Sequence, residues 1–89
     1  MSDVVANPEE LEELARMLAA FSLDTRENLQ RLNARLHEMG QSTWQDSRYD
    51  EYREQFAAVH HQVSTALDTI EDEHVQYLRS LAARLRSYL

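Results

Sequence analysis

Two apolar stripes, each recurring at steps of three and four residues, meet across the chain's only glycine, and that pattern leaves few folds open. The first runs Leu11, Leu14, Leu18, Phe21, Thr25, Leu29, Leu32, Leu36 and Met39. The second runs Tyr49, Tyr52, Phe56, Val59, Val63, Leu67, Ile70, His74, Tyr77, Leu81, Leu85 and Tyr88. Such spacing gathers apolar groups on one face of an α-helix, and a helix apolar on one face alone must lay it against something. A short linker brings the second stripe back along the first. The expected fold is therefore all-α. It is an antiparallel two-helix hairpin in one domain, with helix 1 over about 8–39, a bend over 40–45 and helix 2 over about 46–88. Its candidate core is Leu11, Leu14, Leu18, Phe21 and Leu32 against Tyr52, Phe56, Val59, Val63 and Ile70.

The punctuation agrees with two helices. Asn7-Pro8-Glu9-Glu10 offers an N-cap side chain, a proline at the first helical position and a glutamate three residues after the cap. Gly40 is placed to end helix 1 as a left-handed residue. Helix 2 takes its N-cap from Ser42, with Gln45 three residues on, or from Asp46. Trp44, the only tryptophan, stands in the bend, where a large aromatic group can cap the seam between the helices.

At 89 residues and 10.4 kDa the chain is short of core, and without cysteine it has no disulfide or thiolate metal site to compensate. The remedy is a partner chain. The expected helix lengths differ, roughly 48 Å against 65 Å at about 1.5 Å per residue. Leu81, Leu85, Tyr88 and Leu89 are therefore expected beyond the end of helix 1, as part of an interface, and two hairpins joined there make a four-helix bundle dimer. Charges support an antiparallel register. Glu9 to Glu13 would lie beside Arg79, Arg84 and Arg86, Arg35 near Glu51, and Arg16 near Glu71 or Asp72.

Net charge is −7, from sixteen acidic residues against nine arginines and no lysine, with the cations scattered among carboxylates. Nucleic acid and anionic lipid would both select a cationic stripe, so neither fits. The longest apolar run, Met17 to Phe21, is far too short to span a bilayer, which speaks against membrane insertion. The N-terminus lacks the layout of a signal peptide. The expected location is cytoplasmic, or outside the cell by a route that uses no cleaved signal.

No enzyme chemistry is legible, for the serines sit at caps or on solvent faces and no glycine-rich loop exists to cradle phosphate. Glu71-x-x-His74 has the spacing of a di-iron bundle ligand pair, yet helix 1 offers no inward carboxylate to complete a site, and the adjacent His60 and His61 point about 100° apart. His60 and His74, fourteen residues apart at the stripe edge, leave pH-dependent packing conceivable. The expectation is no catalytic residue, no metal and no cofactor. Tyr49, Tyr52 and Phe56 read as core aromatics and not as a ligand box.

The Pro8-Glu9-Glu10-Leu11 start, Trp44 at the bend and Tyr52 eight residues on resemble the W-x-G, or ESAT-like, family of small bacterial helical hairpins associated with type VII secretion. The likeness spans nearly the whole chain. Asp46 stands where that family has glycine, so the motif is Trp-x-Asp. The family's Tyr-x-x-x-Asp/Glu export signal has no counterpart at Tyr77, followed by Leu81, or at Tyr88. The resemblance implies a protein-interaction module that pairs with itself or a paralogous hairpin as a secretion substrate, chaperone or adaptor. A larger helical secreted protein or a secretion ATPase is a further implied partner. Trp44 and Asp46 then join Leu81, Leu85 and Tyr88 as candidate partner-binding residues. The alternative is a cytoplasmic helical adaptor or scaffold subunit unrelated to secretion.

Overall fold

The computed structural model describes residues 6–88, and they form an elongated helical hairpin measuring 64 × 20 × 17 Å. Helix α1 runs Pro8–Ser42. It begins where the sequence places it, with Asn7 Oδ1 accepting from the Glu9 backbone N–H at 2.8 Å and the Glu10 N–H at 3.4 Å, and with Pro8 at a position that needs no donor. After four intervening residues the second arm starts as α2, Ser47–Thr69. It passes without a break through a π-helical segment, Ile70–Val75, into α3, Gln76–Arg86.

Gly40 does not end α1. No glycine has positive φ, and the helix continues two residues further. The turn is closed instead by Thr43 and Trp44, whose backbone N–H groups both donate to the Met39 carbonyl, at 2.9 and 2.8 Å. Asp46, extended at φ −137°, then caps α2 through its carboxylate, and Ser42 does not.

The seam of α1 is Ala15, Ser22, Leu29 and Leu36, seven residues apart and all buried. From the second arm Tyr49, Leu67, Val75 and Ala82 close on it. Ala15 and Ala82 are fully buried and Ser22 is 1% exposed, so small side chains set the spacing and let the backbones approach closely. The larger groups flank this line. Of the expected core, Leu11, Leu18, Phe56, Val63 and Ile70 are half-buried, while Leu14, Phe21, Leu32, Tyr52 and Val59 are 45–57% exposed. The stripe is present, but its axis is turned toward one side of the hairpin.

Nor does the second arm run far past the first. Arg86 forms an ion pair with Glu12, Leu81 and Leu85 are half-buried and Ala82 is buried, so α1 lies alongside nearly all of α3. Tyr88 is 84% exposed, and Leu89 lies outside the described residues. The other expected ion pairs are replaced. Arg35 pairs with Glu38 of its own helix at 3.3 Å, and Glu71 is taken by Arg26 instead of Arg16.

Candidate partner-binding surface

The seam line of α1 divides the hairpin into two unlike sides. Three residues beyond each seam position the chain has turned to about 60° on one side, which carries Leu18, Thr25, Leu32 and Met39, with Leu14 and Phe21 behind them. Four residues beyond, it lies about 40° to the other side, which carries Ala19, Arg26 and Asn33. The second arm follows suit. Tyr52, Val59, Val63 and Ile70 fall with the leucines of α1, whereas Asp68 and Glu71 fall with Arg26.

The polar side is laced by ion pairs. Arg26 Nη2 meets Asp68 Oδ1 at 2.7 Å and its Nε meets Glu71 Oε2 at 2.9 Å, and Arg86 holds Glu12 near the open end. These hydrogen bonds hold the carboxyls of Glu71 and Glu12 below the usual glutamate value, with Ser22 adding to the effect at Glu71. A shallow cleft beside them is lined by Asn33, His37, Arg53 and Glu54 over Leu36 and Tyr49.

Among the described residues, the apolar side carries a groove near each end. Near the open end Leu14, Leu18, His74, Tyr77 and Leu78, edged by Glu73, enclose about 560 Å³. Near the bend Leu32, Met39, Trp44, Tyr52 and Phe56, edged by Arg35, enclose about 330 Å³. A row of rings runs out from Trp44. It meets Tyr49 edge-on at 5.5 Å and stacks on Tyr52 at 5.9 Å, and the row continues through Phe56 to His60. Trp44 is half-buried and its indole N–H donates to Asp46 Oδ1 at 3.0 Å. The same oxygen accepts from the backbone N–H groups of Arg48, at 2.9 Å, and Tyr49, at 3.1 Å. One carboxylate thus caps α2 and orients the tryptophan.

Of the residues singled out in the sequence, Trp44 and Asp46 come together at the bend, while Leu81, Leu85 and Tyr88 stand at the opposite end of the hairpin. Tyr77, 59% exposed, and Met17, 61% exposed, add apolar surface that was not singled out, although Tyr77 lay in the second stripe. Among the described residues no three side chains gather to hold a metal ion, and no helix is long and apolar enough to cross a membrane.

Residues 3–88 match the family of proteins of 100 residues with WXG, and the chain belongs to that family. No curated protein and no solved structure matches it.

Proposed function

We propose that this chain is a non-enzymatic interaction module whose apolar side docks on a second helical hairpin, itself or a paralogue. The four-helix bundle so formed would serve type VII secretion as substrate, chaperone or adaptor. Members of its family are small helical proteins of that secretion route, not known as enzymes, and they typically pair with themselves or relatives.

The observation that carries the proposal is the exposure of Leu14, Phe21, Leu32, Tyr52, Val59 and Tyr77, each 45–59%, in stripes that both arms turn to one side. A compact protein of 10.4 kDa exposes roughly 5,400 Å², and this chain exposes 7017 Å². The excess exceeds the ~800 Å² that each partner contributes to an ordinary stable interface. Trp44 and Tyr52 at one end and Leu81 and Tyr88 at the other extend the proposed surface along the hairpin, with Asp46 acting through Trp44.

The test is sedimentation of the chain, alone and with a co-expressed neighbouring hairpin, against Phe21→Glu and Leu32→Glu. His37→Glu, on the polar side, is the control. Loss of association in the first two with helicity retained is expected. Association untouched by either, or abolished by His37→Glu alone, would move the interface to the other side. For secretion, export of the tagged chain should stop when the route's ATPase is deleted in the native host. A chain that stays in the cell whether or not the ATPase is present would leave the adaptor reading, with docking intact.

A further inference from the structure

Buried positions in the second arm hold one line and then slip by one residue. Tyr49 and Leu67 are eighteen apart, five α turns, and Val75 and Ala82 are seven apart, close to two turns, but Leu67 and Val75 are eight apart. The π-helical segment Ile70–Val75 falls in that interval. A π turn spends about one residue more than an α turn, so it absorbs a rotation of about 100°. In an uninterrupted α-helix His74 and Leu81 would occupy the seam now held by Val75 and Ala82. As wound, His74 is exposed in the wall of the larger groove on the apolar side.

π turns have poorer hydrogen bonding than α turns and persist where something else holds them. Here the holder is visible. Ser22, 1% exposed in the seam of α1, donates its hydroxyl to Glu71 Oε2, and Arg26 Nε donates to the same oxygen at 2.9 Å. Arg26 Nη2 also reaches Asp68, just before the π turn, at 2.7 Å. One arginine thus spans the junction where α-winding gives way. The buried hydroxyl of Ser22 thus finds its partner in Glu71, inside the π-helical segment.

We infer that Ser22 and Arg26 are positioning residues for the partner surface. By gripping Glu71 they hold the π turn, and the π turn sets the phase of residues 76–88, deciding which of their side chains face α1 and which face outward. The consequence for docking rests on the function proposed above, whereas the lock itself does not.

The chain has no cysteine, so single thiols report the phase. With the remaining sequence intact, Val75→Cys should label at least about tenfold more slowly than His74→Cys, as a buried site does against an exposed one. Adding Glu71→Ala should erase or invert that ratio with helicity kept. Deleting Asp72 from the Glu71→Ala chain removes the extra residue and should restore it. A ratio unchanged by Glu71→Ala overturns the inference, as does a failure of the Asp72 deletion to restore protection. Should Glu71→Ala unfold the chain, recovery of fold and protection on deleting Asp72 supports the lock and its absence refutes it. Sedimentation of the same variants reads docking separately: a changed labelling ratio with unchanged association keeps the lock and removes residues 76–88 from the partner surface.

Discussion

The ring of Tyr49 lies directly against the backbone of Gly40: a Cβ on that glycine would come within 2.6 Å of Tyr49 Cε1, and closer to Cζ and the hydroxyl. The hydroxyl donates to the Leu36 carbonyl at 3.0 Å, fastening the first turn of α2 to the last turns of α1. The glycine serves close approach and not a turn. In an unobstructed helix, replacing glycine by alanine stabilises by about 1 kcal/mol. Gly40→Ala should instead destabilise by about 1–3 kcal/mol through overpacking. In a Tyr49→Leu background the sign should revert, which urea denaturation of the four chains of the cycle will read. Gly40→Ala that stabilises the native sequence would separate the two residues.

Asp46 Oδ1 serves three donors, so its loss should exceed that of a simple cap. Asp46→Ala is expected to cost about 1–2 kcal/mol, and Asp46→Asn less. The indole of Trp44 loses its only hydrogen-bond partner in Asp46→Ala, so its fluorescence should shift even in the folded chain. An unmoved spectrum would break the link between cap and tryptophan.

The hairpin is legible because periodicity survives without structure, and Asn7 marks the start of α1 by local chemistry alone, whereas Ser42 and Asp46 read equally as the cap of α2 until the structure assigns Asp46. What a hydropathy pattern could not show is which line within the stripe forms the seam. Hydropathy ranks Leu14 and Phe21 above Ala15 and Ser22, but the seam takes the small residues because two backbones must come close. Arg26 finds Glu71 only once register is known, and register here includes a one-residue π insertion that neither His74 nor Val75 announces. For the same reason the expected neighbours of Arg16 and Arg35 were misplaced. In the sequence Gly40 reads as a turn because its neighbour in space, Tyr49, is nine residues away along the chain.

Acid should loosen the polar side first. Arg26, and then Ser22, hold the Glu71 carboxyl below the ordinary glutamate value of 4.5, and Arg86 does the same for Glu12. Since the folded-state values are depressed, the stabilisation is complete above about 4.5 and is lost as pH falls through the lower folded values. Thermal melting followed down that range should therefore decline less steeply in Glu12→Gln with Glu71→Gln than in the parent. Parallel curves for the two chains would mean that neither ion pair couples to stability.

Truncation after Arg79 separates a tail that only binds a partner from one that also holds the hairpin. The removed segment contains Ala82, fully buried, Leu81 and Leu85, half-buried, and Arg86, paired with Glu12. Removing two partly buried leucines and the alanine contact should cost on the order of 2–4 kcal/mol of hairpin stability even in a monomer. Urea denaturation at a concentration too low for association is the measurement. A shortened chain as stable as the full one, yet unable to associate, would assign the tail to the partner interface alone. A chain that loses stability while still associating would confine the tail to the hairpin and leave docking to Phe21, Leu32 and Tyr52.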